Sequence, residues 1–151
     1  MHCKIPESSG RLDEPLLFSP GFLESTINRM ELAACRHAFE WVAEQGNSLD
    51  VQRVQIFADS LYVFENHKHA TTLRKQKWCN RDGRPVENPD LWKSFIRISA
   101  NVLERVDIFG VKGKKSPILK AVDKAAKAAG RAPTKVDREF AVGRLASQSS
   151  R

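Results

Sequence analysis

Between residues 30 and 46 the apolar side chains Ala34, Cys35, Ala38, Trp41 and Val42 recur every three or four positions, which places them on one helix face. The spacing predicts a helix over Met30–Val42, ending near Gly46, with Thr26 and Asn28 as capping residue types ahead of it. The period then changes. Val54, Ile56 and Ala58 alternate with Gln55 and Phe57, so the stretch 51–60 predicts a strand that stops at Asp59, with Ser60 placed to cap a helix over LYVFEN. Asn88-Pro89 opens another helix whose core face is Leu91, Trp92, Phe95, Ile98 and Val102, and Val106, Ile108 and Gly110 mark a second interior strand. Ser116 and Pro117 start a last helix, with Ile118, Leu119, Val122, Ala125, Ala126 and Ala129 as its apolar stripe and Gly130 as its stop. Ahead of all this, residues 1–14 hold little apolar material. Residues 15–23 predict a strand confined to a sheet edge by Pro15 and Pro20, and the two pieces together suggest a hairpin. The alternation of strands and helices gives an α/β domain over residues 1–130, and the polar residues 131–151 predict a loosely attached tail.

Composition narrows the class. A chain of 151 residues, 41% hydrophobic and 28% charged, can bury a proper core as one domain. Lys and Arg outnumber Asp and Glu by 25 to 18, which favours an anionic partner such as nucleic acid. Cys3, Cys35 and Cys79 are odd in number and widely spaced, so free thiols in a reducing compartment are expected rather than disulfides or a zinc site. No apolar run approaches membrane length, and a cytoplasmic protein with no membrane partner is expected.

The candidate chemistry begins with Glu31, in the middle of the expected apolar face. A carboxylate there is costly unless a positive or hydrogen-bonding group meets it. It is either a first-turn glutamate favoured by the helix dipole or paired with Arg29, or a metal ligand whose burial a cation offsets. Asp59 stands at the C-terminal end of a strand, where α/β sheets place ligands, or else it caps the next helix with Ser60. Asp123 borders the stripe of the last helix and, read alone, is a flank residue paired with Lys120 or Lys127. Lys68, Arg74, Lys75 and Lys77 with Trp78 suit a phosphate-gripping surface with a ring to stack, or a solvated charged face. His67 and His69 lack the spacing of a helical metal pair.

Taken together, TINRMELAA, FADSLYV, RKQKW followed by GRPVENPDLW, and VKG followed by AVDKAAKAA resemble the type 1 ribonuclease H family from about Pro15 to Gly130. The resemblance implies a mixed sheet flanked by helices. It also implies cleavage of the RNA strand of RNA–DNA hybrids with two divalent cations, normally Mg2+ with Mn2+ as a substitute, held about 4 Å apart by carboxylates. On that resemblance Glu31, Asp59 and Asp123 match three of the four family carboxylates. Thr26, Asn28 and Arg29 match positions near the substrate backbone, Asn28 facing the ribose whose 2′-hydroxyl marks RNA. Arg74, Lys75, Lys77 and Trp78 match the basic handle on the DNA strand.

Two departures stand out. Nothing here matches the family's Asp-Gly-Ser-like motif with the first carboxylate, and Asp13 lies too close to Glu31 for the intervening meander. MHCKIP itself looks like the meander's second strand, so the first strand and its aspartate are expected to be missing. Lys114 stands where the family often has a histidine, and lysine is a poor proton shuttle near neutral pH, so slower turnover is expected. Three functions remain open: a hybrid-cleaving endonuclease acting as a monomer, a non-catalytic hybrid- or RNA-binding module, and a same-fold relative acting on DNA junctions. The context of Asn28 and Arg29 and the basic handle speak against the last.

Overall fold

The computed structural model describes residues 21–45, 52–111 and 117–142, which fall into two compact units. Of the hairpin expected over residues 1–23, residues 1–20 lie outside the described residues, as do the Gly46 stop and Lys114.

The larger unit, Thr26–Lys112, is built on a parallel strand pair and the helices that connect and cover it. Helix α1 (Ile27–Gln45) leads to strand β2 (Val54–Ala58; β1, Phe22–Leu23, belongs to the other unit) and then to the short helix α2 (Leu61–Asn66). A 3-10 turn at His67–His69, helix α3 (Ala70–Lys75) and helix α4 (Pro89–Ser99) follow, before strand β3 (Val106–Gly110) returns beside β2. The register runs from Val54 opposite Val106 to Ala58 opposite Gly110, and Val111 N–H extends it by donating to Ala58 O at 2.9 Å. Both strand expectations hold. Phe57 and Phe109 stack across the pair with centroids 5.6 Å apart, a cross-strand aromatic contact of the kind that holds register.

The core lies between α1 and α4. Leu32, Cys35, Phe39 and Val42 meet Leu91, Trp92 and Phe95, with Val63, Val102 and Val106 closing the cluster. Phe39 and Phe95 pack edge to face at 5.0 Å, and Trp92 meets Phe95 nearly at right angles at 5.6 Å. The α4 face is the expected one apart from Ile98, which is only partly buried. On α1 the face is rotated. Leu32 and Phe39 are buried, whereas Ala34 is exposed and Trp41 retains 38% exposure. The physical reason is area: Leu32 and Phe39 remove far more apolar surface from water than the two alanines. Glu31 therefore flanks the buried stripe instead of sitting in its middle.

The smaller unit contains β1 (Phe22–Leu23), α5 (Pro117–Arg131) and β4 (Lys135–Val136). β1 and β4 pair in parallel, Phe22 opposite Lys135 and Leu23 opposite Val136. Gly21 approaches α5 so closely that a Cβ there would lie 1.9 Å from Ala129 O. The residues after Gly130, expected to be a loose tail, thus include a strand. They also include Asp137, 9% exposed, which accepts from Ser25 Oγ at 3.0 Å and from Phe140 N–H at 3.2 Å. Polar content hid this segment because its order comes from hydrogen bonds, not apolar burial. Among the described residues, no helix is long and apolar enough to cross a membrane.

Candidate active site

Thr26 starts α1: its carbonyl accepts from Met30 N–H at 3.0 Å and its hydroxyl from Arg29 N–H at 3.3 Å. This is the capping role its residue type predicts, worth about 1 kcal/mol. The first turn then carries Asn28, Arg29 and, one step on, Glu31. Glu31 is half-buried. Burial first, and the charge of Asp59 second, hold its carboxyl above the usual carboxylate range. Asp59 is exposed just beyond the C-terminal end of β2. The cap of α2 is Ser60, whose Oγ accepts from Val63 N–H at 3.4 Å. Cys35, one turn beyond Glu31, has its thiol pushed up to about 12, by burial and then by Glu31, so it stays protonated and weakly nucleophilic. Helix α1 and the β2 end thus set the charge of Asp59 in repulsion against that of the half-buried Glu31. A divalent cation would relieve both the repulsion and the desolvation. Within this unit the pair is joined by no third His, Cys, Asp or Glu arranged to hold an ion, among the described residues.

Arg29 points inward. Its side chain is 3% exposed, and Nη1 and Nη2 donate to Asp90 Oδ1 and Oδ2 at 2.8 and 2.6 Å, tying the first turn of α1 to the first turn of α4. The sequence suggested substrate contact for Arg29, but the buried bidentate pair gives it a place in the scaffold beneath Asn28 and Glu31. Asn28 Nδ2 donates to Glu87 Oε2 at 3.3 Å. The loop carrying Glu87 is pinned through Tyr62, whose hydroxyl donates to Glu87 O at 3.2 Å. The same hydroxyl accepts from Trp92 Nε1 at 2.9 Å and from Asn88 Nδ2 at 3.3 Å. Sequence spacing gave no sign of Glu87 or Asp90, since their partners lie about 60 positions earlier in the chain.

The basic stretch turns on α3. Arg74 and Lys75 are exposed on its last turn, and Lys77 and Trp78 both take left-handed backbone, φ 54° and 64°. Trp78 N–H closes the bend onto Leu73 O at 2.9 Å, and Val86 N–H returns to Trp78 O at 2.9 Å. Lys93 of α4 lies 5.6 Å from the Trp78 ring. Arg74, Trp78, Lys93, Ile96, Arg97 and Ala100 line an open groove of about 520 Å³. Lys93 and Arg97, four apart on the polar face of α4, extend the basic surface beyond the residues singled out from the sequence. Asp123 lies half-buried on α5, in the other unit, 3.0 Å from Lys127 Nζ.

Comparison with known proteins covers all these motifs. The RNase H family model matches residues 16–131, a span that includes Glu31, Asp59 and Asp123. Ribonuclease H of Thermoanaerobacter sp. (strain X514) is 36% identical over 96 residues, 62% of this chain and 57% of that protein. Ribonuclease H of Chlorobaculum parvum is 33% identical over 91 residues, 59% of this chain and 57% of the relative. Ribonuclease H of Actinobacillus pleuropneumoniae serotype 5b is 31% identical over 121 residues, 79% of this chain and 74% of that one. The chain thus spans a little over half the length of the first two of these relatives. With the parallel pair, the capped α1 and the acidic end of β2 falling inside the matched span, the chain belongs to the RNase H family.

Proposed function

We propose that this chain hydrolyses the RNA strand of RNA–DNA hybrids, with Glu31, Asp59 and Asp123 as ligands for two divalent cations, Mg2+ or, in substitution, Mn2+. The observation that carries the reading is the pair Glu31–Asp59: two carboxylates from separate elements, the half-buried one, Glu31, made costlier to ionise by the charge of the other. Carboxylate oxygens are the donors that hard cations require. Such ions, when bound, would supply a water of lowered pKa and charge stabilisation for the leaving oxygen. The protein's own part is positional. Thr26 and Asn28 sit at the α1 N-terminus, where backbone N–H groups and the helix dipole suit a phosphate. Arg74, Lys75, Lys77 and Trp78 form the surface for the DNA strand, and Lys114 adds a charge that holds phosphate without shuttling protons. Arg29 supports the first turn from below. The protein acts in the cytoplasm as a monomer.

The test is cleavage of a hybrid with end-labelled RNA in the presence of magnesium. Internal RNA products that disappear with Asp59→Asn support the reading. An intact RNA strand with salt-sensitive hybrid binding, unchanged by Asp59→Asn, supports a non-catalytic hybrid-binding module instead.

A further inference from the structure

A primary amide can turn either end toward a neighbour, and which end it turns decides what it offers to a ligand. Asn28 has a carboxylate for a neighbour: the group facing it at 3.3 Å is Glu87 Oε2. A carboxylate accepts hydrogen bonds and donates none. The end of Asn28 directed at Glu87 is therefore NH2, and the carbonyl oxygen is the end left over. Glu87 is well placed to enforce this. Its own carbonyl receives the Tyr62 hydroxyl, which is anchored in turn by the indole of Trp92, 1% exposed in the core. Asn88 in left-handed backbone and Pro89 follow directly, so the loop has little freedom. The pair Arg29–Asp90, one residue along on α1 and three along from Glu87, clamps the same two segments together.

We propose that Glu87 is a positioning residue. It fixes the Asn28 amide with its oxygen outward, as an acceptor for a ribose 2′-hydroxyl, and so contributes to discrimination of RNA from DNA. The inference rests on the reading that Asn28 touches the RNA strand. Its chemistry is asymmetric. An outward NH2 would find acceptors on any duplex, because adenine N3 and thymine O2 line the minor groove whatever the sugar. An outward carbonyl oxygen needs a donor, and in an A·T-only duplex the donor it can reach is the 2′-hydroxyl of RNA.

The experiment measures equilibrium binding of the full chain by fluorescence anisotropy, without divalent ions so that no cleavage intervenes. It compares an A·U/A·T hybrid with the DNA duplex of the same sequence. The ratio of the two affinities is the readout, because a change in overall charge acts on both duplexes and cancels. Wild type should prefer the hybrid. Glu87→Lys presents donors to the amide, turns it round, and should lower the ratio by roughly threefold or more, the worth of one hydrogen bond. Glu87→Gln keeps an acceptor oxygen and should retain most of the preference. Asn28→Ala should lose the preference, and adding Glu87→Lys to it should change the ratio no further. Loss with Asn28→Ala but a wild-type ratio in Glu87→Lys overturns the proposal and leaves the Asn28 reading standing. A preference that survives Asn28→Ala, or a wild type with none, overturns both.

Discussion

The buried pair Arg29–Asp90 separates a scaffold role from a substrate-binding role for Arg29. Its two ends are unequal: the Arg29 side chain is 3% exposed and that of Asp90 36%. Asp90→Ala leaves a guanidinium in the interior without this carboxylate, and breaking a buried pair from that side costs about 3 kcal/mol. Arg29→Ala leaves a carboxylate that water already reaches, so its cost is lower, about 2 kcal/mol, much of it lost packing of the arginine stem. The double variant should fall short of the sum by about 1–2 kcal/mol. Arg29→Lys should sit between wild type and alanine, because an ammonium cannot span both oxygens. In thermal unfolding the Asp90→Ala loss corresponds to a drop of about 10 °C. The assay is urea or thermal unfolding by circular dichroism, run beside hybrid binding at a temperature where every variant is folded. Arg29→Ala that melts like wild type while binding hybrid much more weakly would refute the reasoning and return Arg29 to the substrate surface. So would a cost for Arg29→Ala above that for Asp90→Ala.

Other outcomes follow from the same geometry. Glu31 has its carboxyl raised above 4.5 by burial and by Asp59, so its protonation stabilises the fold below pH 4.5 and that contribution is lost as pH rises through the raised value. Without divalent ions Glu31→Gln should therefore melt higher than wild type at neutral pH, the gap closing on acidification; a lower melting point at neutral pH contradicts this. Gly21→Ala drives a Cβ to 1.9 Å from Ala129 O, a backbone atom that cannot swing aside, so the β1–β4 pairing should be lost. Amide hydrogen exchange checks it: Asp137 N–H, bonded to Leu23 O at 3.3 Å, should lose protection, and unchanged protection argues against the clash. Arg74→Ala and Arg97→Ala should each flatten the log–log salt dependence of hybrid binding by about 0.9 for a phosphate contact. An unchanged slope for Arg97 would place the α4 end of the groove outside the nucleic-acid surface.

The sequence exposed most of the larger unit because its elements are coded by local period. The Val54–Ala58 and Val106–Gly110 strands and the α4 core face were legible from spacing alone, and the structure pairs those strands residue for residue. The α1 face was misread because small and large apolar residues count equally in a periodic pattern, whereas Phe39 and Leu32 dominate the burial. Lys135–Val136 and Asp137 were invisible for the opposite reason, being a short stretch with little apolar burial held by main-chain and carboxylate hydrogen bonds to a segment more than 110 positions earlier. At the site, Glu31 was legible as an acid in a costly place and Asp59 as an acid at the C-terminal end of a strand, and the structure adds that the charge of Asp59 bears on Glu31. Arg29, read from the sequence as a partner for Glu31 or as a position near the substrate backbone, is met by Asp90 on a different helix.

The most direct test of the acidic site is calorimetric titration of Mg2+ and Mn2+ into the full chain and into Glu31→Gln, Asp59→Asn and Asp123→Asn. Shared ion binding predicts a saturable heat in wild type that each of the three amide variants weakens severalfold or abolishes. Wild-type affinity in Glu31→Gln and Asp59→Asn, or in Asp123→Asn, would contradict it.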